Sequence, residues 1–292
     1  MTTIELLEAT KVGMQSILET AQGRWANLPE VVRSLLSAAL GVLFGAWIAS
    51  RAQNKRMIVA ELHALRGAHA LCFAIINKAF AVKKQHLRPM KIAYDTALAL
   101  INNQRGPLAL QLDLRDMTEI DFRTEALEKL ILDKCFLGGE AIATLVAAMD
   151  ATYGLNKSIA YRNEQVIEFR KNAPADERQK IALYLGLPAN GFQDERIKNN
   201  LHALLTQADD CIFFGRRLSN HILRAENRLR RKNGWKYWLP GRKLKPAIWG
   251  KAEADGLLPR EEDYSNWTSG FVPDRSFLGK KWYSLKAWFS KR

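Results

Sequence analysis

The chain has 292 residues, 48% of them hydrophobic, which is enough for one large domain or two small ones and excludes wholesale disorder. Its formal net charge of +14 suggests an anionic partner such as phospholipid or nucleic acid, although such a surplus can also serve solubility alone. The three cysteines, Cys72, Cys135 and Cys211, lie far apart in apolar helical contexts, so we expect buried free thiols rather than disulfides.

The N-terminal segment, residues 1–30, has apolar residues spaced among polar ones in a helical pattern. Ile4, Leu7, Met14 and Leu18 are members of this pattern. A short amphipathic helix lying on a membrane surface is one interpretation, and a frayed leader is the other.

Residues 31–50 are predicted to be a transmembrane anchor. Seventeen residues from Ser34 to Ser50 carry no formal charge, and Val31 and Val32 extend the run past Arg33. An arginine near a helix end can extend its guanidinium back to the headgroups. About 20 residues at a rise of about 1.5 Å cover about 30 Å, the thickness of a hydrocarbon core. A buried core helix is the alternative.

The residues after this span predict its orientation. Trp47 lies at the end of the span, where interfacial aromatics are favoured, and Arg51, Lys55 and Arg56 follow it. Because few basic residues precede the span, the C-terminal side is expected to face the cytoplasm. We therefore expect a single-pass protein of a bacterial inner membrane, with its N-terminus outside.

Small residues recur every fourth position within the span, at Ser37, Gly41, Gly45 and Ala49. Such a face lets two helix backbones approach closely, so it predicts a homo-oligomer. Small residues are also common in membrane helices in general, and this alternative interpretation stays open.

Residues 51–233 are predicted to form a cytoplasmic helical bundle. An apolar stripe at helical spacing covers residues 57–86, and Pro89 is expected to end or kink that helix. Residues 108–114 alternate with a period of two, which indicates an extended clasp, an intermolecular pairing or a strand. Helical spacing then covers residues 122–136, 140–172 and 194–233, with a short helix between Pro174 and Pro188. The fold is therefore predicted to be all-α, as an elongated antiparallel bundle or coiled-coil hairpin.

The tail, residues 234–292, contains six of the eight tryptophans and is strongly basic. Trp282, Leu285, Trp288 and Phe289 have lysines around them, which is typical of a segment at a membrane interface. The alternative is that the tryptophans fix the tail to the helices.

A basic column on the last long helix is the candidate binding site for an anionic partner. Its members are spaced by four, three, four and three residues, which places them on one helix face. The column could bind phosphates of nucleic acid or lipid, or could pair with acids of neighbouring helices. The members are Arg217, His221, Arg224, Arg228 and Arg231. A second basic group, Lys83, Lys84, His86, Arg88 and Lys91, is expected to be a solvated helix tip.

No catalytic, metal or cofactor site is predicted. None of the five histidines has Glu three residues before it, and no C-x-x-C or H-E-x-x-H occurs. The preferred hypothesis is a non-enzymatic, membrane-anchored scaffold, tether or membrane effector that binds phospholipid, itself and a protein partner. An enzyme whose site is assembled from distant helices, and a membrane-tethered nucleic-acid-binding protein, are the alternatives.

Overall fold

The computed structural model describes residues 29–102, 112–188, 191 and 193–271. Within these residues the chain forms helices and irregular segments without a β-strand, which confirms the predicted all-α class. The predicted amphipathic segment before residue 29 lies outside the described residues. So do the interfacial candidates Trp282, Leu285, Trp288 and Phe289.

Helices in the described residues occupy nearly the predicted positions. Helix α1 is Glu30–Val82, a π-helical turn covers Lys83–Leu87, and α2 is Arg88–Asn102. The central helices are α3 at Thr124–Lys134, α4 at Gly139–Asn172, α5 at Glu177–Leu185 and α6 at Arg196–Tyr237. Beyond them, α7 is Gly250–Ala254, a 3-10 turn covers Glu261–Tyr264, and α8 is Ser265–Ser269.

The chain forms two compact units, Met1–Ile58 and Val59–Arg292. In the first unit, the described residues belong to the first part of α1. The second unit, which we call the helical unit, contains the rest of α1 and all the other described elements.

Helix α6 is central to the helical unit and runs antiparallel to both α1 and α4. Against α1, Asp209 pairs with Lys83 and Glu226 lies near Arg66, so residue numbers rise in opposite directions. The buried face of α6 repeats at about 3.6 residues, the spacing that keeps one side of a helix against its neighbours. That face comprises Leu204, Ala208, Cys211, Gly215, Leu218 and Ile222.

Gly215 lies where α6 packs tightly against Ile76 of α1. A Cβ atom at this position would lie 2.8 Å from Ile76 Cγ1, which is shorter than van der Waals contact. A larger side chain here would therefore push the two helices apart or force Ile76 from its rotamer.

Pro89 neither ends nor interrupts the helical path, since the chain passes through a π-helical turn just before it. The backbone N–H of Arg88 donates to the carbonyl of Lys83, five residues earlier. In an α-helix, the ring of a proline clashes with the carbonyl four residues before it. The π-helical turn is wider than an α-helical turn and gives the ring of Pro89 more room. Pro89 then lies in the first turn of α2, where a backbone donor is not required.

Of the predicted alternating stretch, residues 112–114 are described, and residues 112–122 run along α4 with no strand partner among the described residues. Asn163 brackets Met117, accepting from its N–H at 2.9 Å and donating to its carbonyl at 2.7 Å. Asn156 makes the same pair of bonds to Ile120, and Arg170 donates to the carbonyl of Leu114. These contacts recur every seven residues on α4 and every three residues on the extended segment. Seven helical residues rise about 10.5 Å and three extended residues cover about 10 Å, so successive contacts lie the same distance apart on both. Residues 108–111 lie outside the described residues.

The start of the tail, residues 238–271, packs against α1 and α6, and we call it the C-terminal strap. Trp249 stacks on Phe73 with ring centroids 5.5 Å apart, and Trp267 meets Phe214 edge-on at 5.1 Å. For these two tryptophans the structure shows attachment to the helices, the second predicted alternative. Lys83 and Lys84, expected at a solvated tip, instead bind the carbonyl of Leu257 at 3.0 Å and the carboxylate of Asp255 at 2.8 Å.

Candidate functional site

The apolar part of α1 has no packing partner among the described residues. Among these residues one helix is long and apolar enough to cross a membrane, and none of its most apolar window is buried. Val42 is 71% exposed and Phe44 is 63% exposed. Whatever covers this surface in the cell is therefore not supplied by the described part of the chain.

The predicted association face lies in the same stretch. A Cβ atom added at Gly41 or Gly45 would meet nothing within 4 Å. Ser37 and Ala49 are exposed on the same helix. The face is therefore open to contact by a second helix.

The predicted interfacial residues follow on α1. The guanidinium of Arg51 lies 5.4 Å from the ring centroid of Trp47, one helical turn earlier, in a cation–π arrangement. Lys55 and Arg56 are exposed on the next turn. An indole and a cation stacked in this way present one amphipathic surface at the end of the apolar run.

The predicted basic column divides into two parts. Arg217 donates to Glu140 of α4 at 2.5 Å and lies over the ring of Trp267, 5.3 Å from its centroid. His221 Nε2 lies 3.6 Å from the same carboxylate. Burial lowers the pKa of His221, an effect that Glu140 opposes and Arg217 reinforces. This part of the column thus joins α6 to α4 and to the strap.

The remaining column residues, Arg224, Arg228 and Arg231, are exposed and form no ion pair with a described residue. Arg230, on a different face, is half-buried and paired. The exposed arginines are followed by Lys232 near the end of α6. The structure therefore leaves the C-terminal half of the predicted column available to an anionic partner.

Glu226 is the buried residue that organises this end of α6. Its side chain is fully buried and accepts from Arg230 Nε at 2.7 Å and from the backbone N–H of Leu244 at 3.0 Å. Arg66 of α1 lies 3.9 Å away and donates to the carbonyl of Arg242 at 2.6 Å. One carboxylate therefore joins α1, α6 and the strap, and sequence reasoning missed it. The available signal was that Glu226 is the only acid between Asp210 and Glu253.

A second pair of acids lies under the strap at Asp209 and Asp210. Tyr264 of the strap donates to Asp210 at 2.7 Å, and Lys83 of the π-helical turn binds Asp209. Burial raises the pKa of both carboxyls, outweighing the opposing effect of each hydrogen bond. The pKa of each carboxyl is therefore higher in the folded protein than in the unfolded chain. Protonation of these carboxyls stabilises the folded state fully at pH values below the unfolded-state pKa, and this stabilisation is lost as pH rises through the folded-state pKa.

Asp210→Asn is therefore expected to stabilise the helical unit at neutral pH, by about 1 kcal/mol or less. The amide is neutral, like the protonated acid, and its oxygen still accepts from Tyr264. Thermal unfolding at pH 7 and pH 4 checks this, because the gain should shrink at the lower pH, where the native carboxyl takes up its proton. A gain of equal size at both pH values would contradict the assignment.

The described residues provide little that resembles an assembled catalytic site. A cavity of about 500 Å³ lies beside the extended segment, with Asp121, Arg123, Glu125 and Tyr153 in its wall. All four are exposed, so these charges are solvated rather than held in a dry cleft. Among the described residues, no group of three or more His, Cys, Asp or Glu could hold a metal ion. Cys72 and Cys211 are buried free thiols, and partial burial raises the pKa of Cys135 to about 11.

The described site residues thus fall into four groups: the open apolar face of α1, the interfacial residues that follow it on α1, the paired part of the basic column, and the exposed basic end of α6. Comparison of the chain with protein-family models, with curated proteins and with solved structures found no match.

Proposed function

We propose that this protein is a non-enzymatic, membrane-anchored helical scaffold, tether or membrane effector. Residues 31–50 cross the membrane once, with the N-terminus outside and the helical unit in the cytoplasm of a bacterial cell. The helical unit binds a protein partner, and the span mediates self-association.

The observation that carries this proposal is the complete exposure of the apolar part of α1. A core helix of a soluble protein has most of such a window buried, whereas this one has none. Contiguous apolar surface of this extent is rare on soluble proteins because it promotes aggregation in water. Lipid supplies the missing cover for a helix that is hydrophobic all round.

The open face at Gly41 and Gly45 supports self-association within the membrane. In lipid there is no hydrophobic effect between helices, so association depends on close van der Waals contact of backbones. Since a Cβ atom at either glycine meets nothing within 4 Å in the described part of the chain, the face can accept a second copy.

The double variant Gly41→Ile and Gly45→Ile is expected to weaken self-association about tenfold, which corresponds to about 1.4 kcal/mol. The branched side chains would keep the two backbones apart while preserving an apolar span. The full chain is reconstituted in lipid vesicles at several protein-to-lipid ratios, and the oligomeric fraction is measured by chemical crosslinking.

The matched control is Ala39→Ile and Ala46→Ile, which makes a similar change on the opposite side of the helix. This control should associate like the natural chain. Equal loss in both variants, or no loss in either, would remove the small-residue face from the proposal.

A further inference from the structure

The end of α6 and the beginning of the strap carry the densest positive charge in the chain. Residues 227–252 contain no Asp or Glu. They contain nine of the cationic residues, namely Arg228, Arg230, Arg231, Lys232, Lys236, Arg242, Lys243, Lys245 and Lys251. Charge of one sign over so short a stretch is repulsive unless a partner neutralises it.

The fold gathers these residues at one end of the helical unit instead of letting them spread apart. Trp238 ends α6 in a left-handed conformation, with φ of 50°, and the chain then reverses direction. Arg230 donates to the carbonyl of Pro240 at 3.0 Å, and Glu226 accepts from the N–H of Leu244. The strap's cations Arg242, Lys243 and Lys245 are therefore held on the Glu226 and Arg230 side of α6, whereas Arg228 lies on the other side of the same helix.

Large apolar side chains protrude from the end of α6 and from the strap. Trp235 is 97% exposed, Trp238 is 88% exposed and Ile248 is 96% exposed. Their neighbour Trp249, by contrast, is packed against Phe73 and Phe80. We call this surface the basic-aromatic end, comprising Arg228, Arg231, Lys232, Trp235, Trp238, Arg242, Lys243, Lys245 and Ile248.

We propose that the basic-aromatic end binds the surface of an anionic phospholipid bilayer. Cations attract the negative headgroups, while indole rings and an aliphatic side chain enter the boundary between headgroups and acyl chains. Nucleic acid would also attract the cations. A protruding isoleucine makes no favourable contact with phosphates or with stacked bases, so the combination of cations and apolar side chains favours lipid. Only residues 51–58 separate the span from the helical unit in the sequence.

This inference rests on the proposed membrane anchor, and its test separates the two. The full chain carries Ile248→Cys labelled with an environment-sensitive fluorophore, in a Cys135→Ser background because Cys72 and Cys211 are buried. It is reconstituted into vesicles of phosphatidylcholine alone or mixed with phosphatidylglycerol, and flotation first shows whether the chain is anchored. We expect flotation with both lipids, but about a twofold rise in emission with a blue shift only in the anionic vesicles.

Two controls test whether the fluorescence response at position 248 is specific to this surface. A fluorophore at Lys157→Cys, exposed on α4 far from this end, should not respond to lipid charge. Lys243→Glu with Lys245→Glu should abolish the response at position 248, whereas Lys157→Glu with Lys171→Glu should leave it intact.

Flotation without any response at position 248 would overturn this inference and leave the anchor standing. A response to an oligonucleotide in detergent micelles, without a response to anionic vesicles, would overturn it in favour of nucleic acid. Failure to float would reject the anchor itself, and with it the basis of the inference.

Discussion

Glu226→Ala is expected to lower the free energy of unfolding of the helical unit by about 3–5 kcal/mol. The carboxylate is fully buried, and its loss leaves Arg230 half-buried without its partner and the N–H of Leu244 without an acceptor. Removing one member of a buried ion pair costs more than the pair itself contributes, because the remaining charge is uncompensated. Urea unfolding of the full chain in detergent, followed by circular dichroism, measures the change.

The same variant should also release the start of the strap. Arg66 and Arg230 both donate to the carbonyls of Pro240 and Arg242, and Glu226 aligns both guanidinium groups. Limited trypsin digestion of the folded Glu226→Ala variant should therefore cleave after Arg242 and Lys243 faster than digestion of the natural chain does. Glu253→Ala removes an exposed acid as the matched control, and equal behaviour of the two variants would show that Glu226 does not organise this end.

Val42→Lys with Phe44→Lys is expected to remove the protein from the membrane. Each charge near the centre of a spanning helix costs about 2.5–3.5 kcal/mol on insertion, and two charges exceed what the remaining apolar residues offset. The measurement is recovery of the chain in carbonate-washed membranes compared with the supernatant.

The matched control places the same two charges at exposed apolar positions of the helical unit, Phe136→Lys and Tyr153→Lys. These side chains are 90% and 71% exposed, so neither substitution buries a charge. The control should stay with the membrane. Retention of the Val42→Lys and Phe44→Lys variant in the washed membrane would show that residues 31–50 do not anchor the protein.

The helices could be predicted from the sequence because their apolar spacing is long and regular. Helix α4 ends at Asn172, as expected from the pattern and from Pro174 beyond it. The short helix α5 is bounded by local signals, since Asp176 caps its first turn and Gly186 ends it at φ of 69°. Local patterns suffice wherever the controlling interactions lie within a few residues of one another.

Interactions between distant segments could not be predicted in this way. Asn156, Asn163 and Arg170 read as ordinary polar residues of a helix, and only their spacing of seven residues hints that they hold one extended segment. Arg217 and His221 share a face with Arg224, yet Glu140 pairs with the first two alone. A column drawn from sequence spacing shows which residues share a face, but not where a neighbouring helix covers that face.

The tail illustrates the same limit. Composition distinguishes the tail from the helices but does not separate the tryptophans that pack on the helices from those that are exposed. Trp249 and Trp267 are held by Phe73 and Phe214, whereas Trp235 and Trp238 protrude near the reversal of the chain. Glu226 contacts residues on both sides of that reversal, and its three partners come from residues 66, 230 and 244.

The most direct test of the membrane anchor uses two samples of the same membranes: one is washed with carbonate to measure recovery of the chain, and the other is kept as sealed vesicles of both orientations to measure protease accessibility. We expect the chain to stay in the washed membrane and trypsin to cleave at Lys55, Arg56 and the helical unit only when the cytoplasmic face is exposed. Recovery of the chain in the supernatant would contradict the account, because residues 31–50 would then be covered by protein instead of lipid. Cleavage of the helical unit from the outer face alone would reverse the proposed orientation.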